Sequence, residues 1–456
     1  MRIIIVIAVI LLIISLYYKK DYYSGLIASS FFLLITPYNL FIRLPGGLPN
    51  LTVHRFIIVI MFICWLSNRN IPKRISGIPY IRSLIFVSLT ILISAIFSVR
   101  FAESIKTLLS FVIEQILFYS LIFLSLKNLD GDQINKVGKK LILTIIVSLT
   151  VVSFFGILER WSIFNVMNHL QLPKYGELAV MDYDYHHYST RIGSTYPHPI
   201  LLGYALSMVW PLILAMIGFQ KSSKSKYILV LSFLIVGSCL YFTESRGPWL
   251  GSVLAGVGLF IIASPQLRKK LLFAGFIFVA ILFMRPQITT TLENLVKPTT
   301  DVSSFKGRSA NYRLELWYKA LDEIGKSPLR TLIGYGDQSH LYMNLSGYEK
   351  KTGKWSFFWS WDNEYACILF ERGFLGFIAF LSLYFSIFVK LLGENLSYKG
   401  DSSDLMKAII SSIGVFLFMM TNVKSFSPQI LFLFWLLVAV SLTLTRDYHP
   451  DLMNSS

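Results

Sequence analysis

Residues 1–20, MRIIIVIAVILLIISLYYKK, hold no charged side chain from position 3 to position 18 and end in Tyr17, Tyr18, Lys19 and Lys20. An apolar run closed by aromatic and basic residues is what a membrane-spanning helix and its interfacial flank require. A secretory signal peptide begins in the same way, but no small-x-small cleavage site follows, so the segment is expected to remain as a first helix. The pattern then repeats. Outward from it, about thirteen nearly charge-free stretches predict helices at 3–18, 22–42, 56–68, 83–99, 107–126, 141–159, 199–219, 227–243, 247–264, 271–285, 366–389, 408–422 and 428–445. The 56–68 and 271–285 stretches are the shortest against a hydrocarbon thickness of ~30 Å.

Composition agrees. Of 456 residues, 54% are hydrophobic and 15% charged, against ~25% charged in an ordinary soluble domain, and the mean hydropathy is +0.60. A soluble enzyme is excluded. The 42 basic and 25 acidic residues give a net charge of +17, but the excess sits in short loops and so speaks of topology rather than nucleic acid. Arg69, Lys73, Arg74 and Arg82, then Lys127, Lys136, Lys139 and Lys140, then Lys221, Lys224 and Lys226, then Arg268, Lys269 and Lys270 mark alternate loops as cytoplasmic. Cys64, Cys239 and Cys367 lie far apart in apolar stretches, which fits small core residues and neither a disulfide framework nor a metal pair.

The expected fold is therefore an all-α polytopic membrane bundle of about 12–13 transmembrane helices. Two longer segments, about 160–198 and 286–365, fall on the outer face. In the second, Leu314, Trp317, Ala320, Leu321 and Ile324 recur at helical spacing, which predicts an amphipathic helix lying as a cap over the bundle. Trp355, Trp359 and Trp361 belong to the same loop.

Four places put ionisable residues at membrane ends, where a charge is costly unless it pairs or works. In TRIGSTYPHPILLGYAL, Arg191 precedes a Gly, Pro and His cluster containing His198; it suits an anion at the helix mouth, or a snorkelling interfacial anchor. TESRGPWLGSVLAG sets Glu244 and Arg246 in a tight turn, where the two charges could simply neutralise each other, while Gly247, Gly251, Gly256 and Gly258 suit close helix packing. SANYRLELWYKALDEIGKSPLRTLIGYGDQSH places Arg313 one turn before Trp317; its planar fork matches a phosphate, and the polar edge of an interfacial helix is the alternative. WSWDNEYACILFERGFLGFIAFL runs Asp362 and Asn363 into a helix followed by Glu371, Arg372, Gly373 and Gly376, so Asp362 fits either a general base or a helix N-cap. Glu114, alone within a span, hints weakly at proton or ion transport. His186 and His187, with Asp182 and Asp184, match no metal-ligand spacing, and no metal is expected.

Taken in order, these four segments resemble the bacterial O-antigen ligase and O-antigen polymerase family of membrane glycosyltransferases. The resemblance covers roughly residues 190–390, and its most specific part is the Asp-Asn-x-Tyr…Glu-x-Gly-x-x-Gly run from Asp362 to Gly376. It divides the chain into N-terminal transmembrane helices over 1–190, a catalytic region over 191–390 that includes the outer loop, and C-terminal helices over 391–456. It implies an inverting transfer at the outer face of the bacterial inner membrane, from an undecaprenyl-diphosphate-linked oligosaccharide to a saccharide or lipid-linked acceptor. No cofactor, nucleotide sugar, metal or nucleic acid is implied, whereas a flippase and a chain-length regulator are implied as partners. By the resemblance Arg191, Arg313 and Asp362 are catalytic, and Arg246, Asn363, Trp317 and His198 bind substrate.

One position departs from the family. Ligases typically carry His where this chain has Asp362, and the Asp-Asn version looks more like the polymerase and exopolysaccharide branch. Polymerisation of surface polysaccharide is thus the leading expectation, transfer to a lipid A-core or other acceptor the alternative, and a flippase a distant third, since no related halves are visible.

Overall fold

The computed structural model describes residues 2–42, 49–71, 77–127, 129–170, 191–220, 222–284, 305–343, 345–349, 354–357, 361–397, 402–424 and 427–445. Its helices run in the order α1 (Arg2–Lys20), α2 (Tyr22–Ile35), α3 (Val53–Ser67), α4 (Ile81–Ile96), α5 (Phe101–Lys127), α6 (Gly131–Arg160) and the single turn α7 (Val166–His169). There follow α8 (Pro199–Phe219), α9 (Ser223–Phe242), α10 (Arg246–Ile262), α11 (Pro265–Met284), α12 (Phe305–Gly325), α13 (Pro328–Ile333), α14 (Glu364–Ser397), α15 (Ser403–Met419) and α16 (Pro428–Leu444). Two antiparallel hairpins complete the description: β1 (Phe41–Ile42) pairs with β2 (Leu51–Thr52), and β3 (Ser346–Glu349) with β4 (Lys354–Phe357).

Every expected span coincides with a helix, and six helices are long and apolar enough to cross a membrane, with five shorter apolar ones beside them. The protein is an all-α polytopic membrane protein. Where helix ends differ from the charge-free runs, local chemistry explains the shift. The second helix stops at Ile35 because Thr36 precedes Pro37 and is driven to extended backbone. The third begins early because the Thr52 hydroxyl accepts the Arg55 N–H and caps it.

Helices α8 and α16 are apolar all round, and both are central: α16 is buried along its whole length, and α8 packs on α6, α9, α10 and α15. At the rim, Ile4 and Leu12 of α1, Leu231 of α9 and Ile261 of α10 point outward, as lipid-facing side chains do.

The loop helix α12 packs on α14 by part of the face that periodicity suggested. Leu314 is 60% exposed and Leu321 44%, whereas Leu316, Ala320 and Ile324 are buried against Trp361, Ala366, Cys367 and Phe370. The face is turned so that Leu316 joins Ala320 and Ile324 towards the aromatic start of α14, leaving Leu314 and Leu321 outside.

That helix α14 breaks at Gly373, where φ is 61° and ψ −168°. Such backbone is open essentially to glycine alone. The break exposes two carbonyls, and the segment after α13 fills it: Tyr335 N–H donates to Phe370 O at 3.2 Å and Gly336 N–H to Glu371 O at 2.8 Å. A Cβ at Gly373 would stand 2.5 Å from the backbone of Leu332. Gly373→Ala is therefore expected to cost at least ~1–3 kcal/mol, the worth of a strained backbone position, read as a lowered midpoint of thermal unfolding in detergent. An unchanged midpoint would show that the 332–336 segment is not locked into the break.

Candidate active site at one end of the bundle

The first part of the site is a pair of turns stitched together by Arg191. Its Nε–H donates to the Thr243 carbonyl at 3.0 Å and its Nη2 to Ser245 Oγ at 2.6 Å, so the guanidinium is bound to the turn that opens α10. Glu159, at the end of α6, accepts the Ser194 N–H at 2.7 Å and holds that residue at φ 54°. His198 caps α8 by accepting the Ile200 N–H on Nδ1 at 3.1 Å. Burial first, and then the nearby charge of Arg191, push its pKa down to about 3, which keeps the imidazole neutral as that cap requires.

Arg246 is the first residue of α10, immediately after the Ser245 that Arg191 holds. The bland alternative for this turn, a Glu244–Arg246 pair, is replaced by another arrangement: Glu244 lies 3.9 Å from Arg160. Gly247 is small because a Cβ there would come within 2.5 Å of the Tyr204 hydroxyl on α8. Gly251 and Gly256 likewise face close neighbours, whereas a Cβ at Gly258 would meet nothing within 4 Å among the described residues.

Arg313 forms the second part. From α12 its Nε–H donates to the Asp362 carbonyl at 3.2 Å and its Nη2 to the Asn422 carbonyl at 3.3 Å. Its charge also reaches Tyr204 and Arg246. Three arginines from distant parts of the chain are thus gathered at one end of the bundle: Arg313 directly beside Asp362, Arg246 within its field, and Arg191 one residue away through Ser245. The forks of Arg191 and Arg313 are held by hydrogen bonds, and concentrated positive charge so arranged suits an anion rich in oxygen.

Asn363, not Asp362, caps α14: its Oδ1 accepts the Ala366 N–H at 3.1 Å, and the residue is buried. Asn363 is placed as a structural cap rather than at an open surface, and the half-buried Asp362 is not consumed in capping. Trp317 meets Phe377 edge-on with ring centres 5.9 Å apart, so its ring belongs partly to the contact between α12 and α14.

A second cluster lies beneath Trp361. The His340 ring stands 2.8 Å from Glu371 Oε1, and Lys424 Nζ donates to Glu371 at 3.3 Å and contacts both nitrogens of His340. The Gln338 N–H donates to Glu371 at 2.7 Å. Beside them Arg372 donates through Nη2 to Asp337 Oδ1 at 2.7 Å, and both groups are buried. Burial raises the pKa of Asp337, with Arg372 opposing. His340, Cys367 and Glu371 place ligand-type atoms within 4.8 Å of one another, but the Lys424 ammonium already stands on two of the three as their cation.

The sequence drew attention to Glu371 and Arg372 and passed over Asp337, His340 and Lys424. The signal for them was faint: a Gly-Tyr-Gly-Asp turn in which Gly334 and Gly336 both take positive φ, marking backbone forced into a tight space. Glu114, treated as solitary, has a partner, since Arg55 Nε donates to it at 2.8 Å across a π-helical turn. The His186 and His187 stretch, with Trp359, lies outside the described residues, as does the side chain of Trp355.

Against known families, residues 230–381 match the O-antigen ligase family model. Among curated proteins none matches the chain. The matched segment carries Arg246, Arg313, Asp362 and the broken helix at Gly373, with Arg191 before it and Lys424 after it. The match to the O-antigen ligase model thus overlaps the stretch in which the four sequence segments resemble the O-antigen ligase and polymerase family.

Proposed function

We propose that the protein lengthens surface polysaccharide by transferring a saccharide from undecaprenyl diphosphate to the growing end of another lipid-linked saccharide. The observation that carries this reading is the gathering of Arg313, Arg246 and Arg191 at one end of the bundle, with Arg313 held against the backbone of Asp362 inside the family segment. Asp362 accepts the proton of the acceptor hydroxyl. The hydroxyl oxygen forms a bond to the anomeric carbon, the bond from that carbon to the diphosphate oxygen breaks, and its electron pair leaves with the diphosphate. Attack from the opposite side inverts the configuration. Negative charge grows on the diphosphate as the bond breaks, and arginines fixed before reaction stabilise it where it develops.

The family description favours a second reading, a ligase that passes the glycan to a different acceptor. Reconstitution of purified protein with an undecaprenyl-diphosphate oligosaccharide separates the two: a ladder of longer saccharides on the same lipid supports the polymerase, and transfer only to an added acceptor supports the ligase. In that assay Asp362→Asn is expected to slow transfer roughly 10²–10⁴-fold, the usual worth of a general base. Undiminished transfer by a stably inserted Asp362→Asn protein would remove Asp362 from the mechanism.

A further inference from the structure

Arg313 leans on two carbonyls from different parts of the chain, and only one of them lies on a packed helix start. The other, at Asn422, belongs to the short connection between α15 and α16. Two things tie that connection down. The Glu364 N–H donates to the Met420 carbonyl at 2.8 Å, and Lys424, two residues beyond Asn422, reaches into the cluster of Glu371 and His340. We propose that Lys424 is a positioning residue for Arg313: as an ammonium it pins the 420–424 turn to Glu371 and His340, and so fixes the Asn422 carbonyl that orients the guanidinium. This inference rests on the reading of Arg313 as a diphosphate ligand.

The pin is sensitive to pH. Around Lys424 stand Glu371, Arg372 and Cys367 from α14 and Asp337 and His340 from the segment after α13. Burial pushes the Lys424 pKa down to about 7, with Asp337 opposing. Below that value the ammonium donates to Glu371 Oε1 and contacts both nitrogens of His340. Above it the neutral amine loses most of that attraction, so the orientation of Arg313 is present at low pH and fades as pH rises through about 7. Arginine at the same position stays charged throughout.

The test uses the full chain in nanodiscs, with farnesyl diphosphate as probe, in wild type, Lys424→Arg and Lys424→Met. At pH 6.0 the wild type and Lys424→Arg are expected to bind alike. At pH 8.5 the wild type is expected to bind about tenfold more weakly than Lys424→Arg, the worth of one charge-assisted hydrogen bond. The comparison at each pH cancels the ionisation of the probe itself. A ratio that stays the same at both pH values overturns the proposal.

A second readout does not depend on substrate. Hydrogen-exchange protection of the 420–424 amides should be high in the wild type at pH 6.0 and reduced at pH 8.5, and high in Lys424→Arg at both. Lys424→Met, if it folds, should lack that protection at both values. If farnesyl diphosphate binds none of the proteins, the diphosphate reading falls, while the exchange data still decide whether Lys424 pins the turn; equal protection in wild type and Lys424→Arg at both pH values overturns it.

Discussion

An Arg313→Lys protein is expected to insert and fold as the wild type does, yet to transfer saccharide roughly 10²–10³ times more slowly, the cost of losing one preorganised donor to a developing anion. The argument is geometric. Arg313 spends Nε on the Asp362 carbonyl and Nη2 on the Asn422 carbonyl, and these two bonds set the plane of the guanidinium. A lysine ammonium keeps the charge but is a single point with rotating donors; it cannot span two carbonyls and still present a fixed fork to a diphosphate. The loss should fall on kcat more than on KM, because the fork matters most where charge grows on the leaving group. Stability should change little, since the residue is half-buried and lysine keeps its charge. Wild-type turnover by Arg313→Lys would reduce Arg313 to an interfacial anchor.

The bundle was legible because charge-free runs of sufficient length have few alternatives in a membrane, and each run became a helix. Its details were less so. Periodicity grouped Leu314, Trp317, Ala320, Leu321 and Ile324 on one face, yet Ala320 and Ile324 are buried beside Leu316 against Trp361 and Phe370 while Leu314 and Leu321 stay exposed. Arg191, Arg246, Arg313 and Asp362 could be named because each sits in a short segment of unusual composition. The buried cluster could not, since Asp337, His340 and Lys424 each look like an ordinary polar residue of a connection, and their meaning comes from meeting Glu371 and Arg372 on α14. Long-range pairing of this kind leaves no periodic trace. The choice of Asn363 over Asp362 as the cap was equally hidden, because both side chains are good caps and the backbone alone selects between them.

The largest loss of stability is expected from Arg372→Met. Arg372 gives Asp337 two hydrogen bonds, from Nε at 3.1 Å and Nη2 at 2.7 Å, and both groups are buried where the 334–341 segment enters the break in α14. Removing the cation alone leaves a buried carboxylate without its partner, a change worth ~3–5 kcal/mol. Lys424 does not substitute, because its ammonium is engaged with Glu371 and His340. Burial already raises the pKa of Asp337 against the pull of Arg372, and without that pull it rises further. The folded state then binds this proton more tightly than the unfolded one, so the defect is greatest at neutral pH and eases as pH falls through the raised pKa. Thermal unfolding in detergent at pH 7.5 and pH 5.0 reads both the loss and its partial recovery. Adding Asp337→Leu to Arg372→Met removes the stranded charge, and the double variant is expected to regain much of the lost stability at pH 7.5, which distinguishes an unpaired carboxylate from mere loss of packing. A double variant no more stable than Arg372→Met at pH 7.5 would mean that the arginine side chain acts there by filling space.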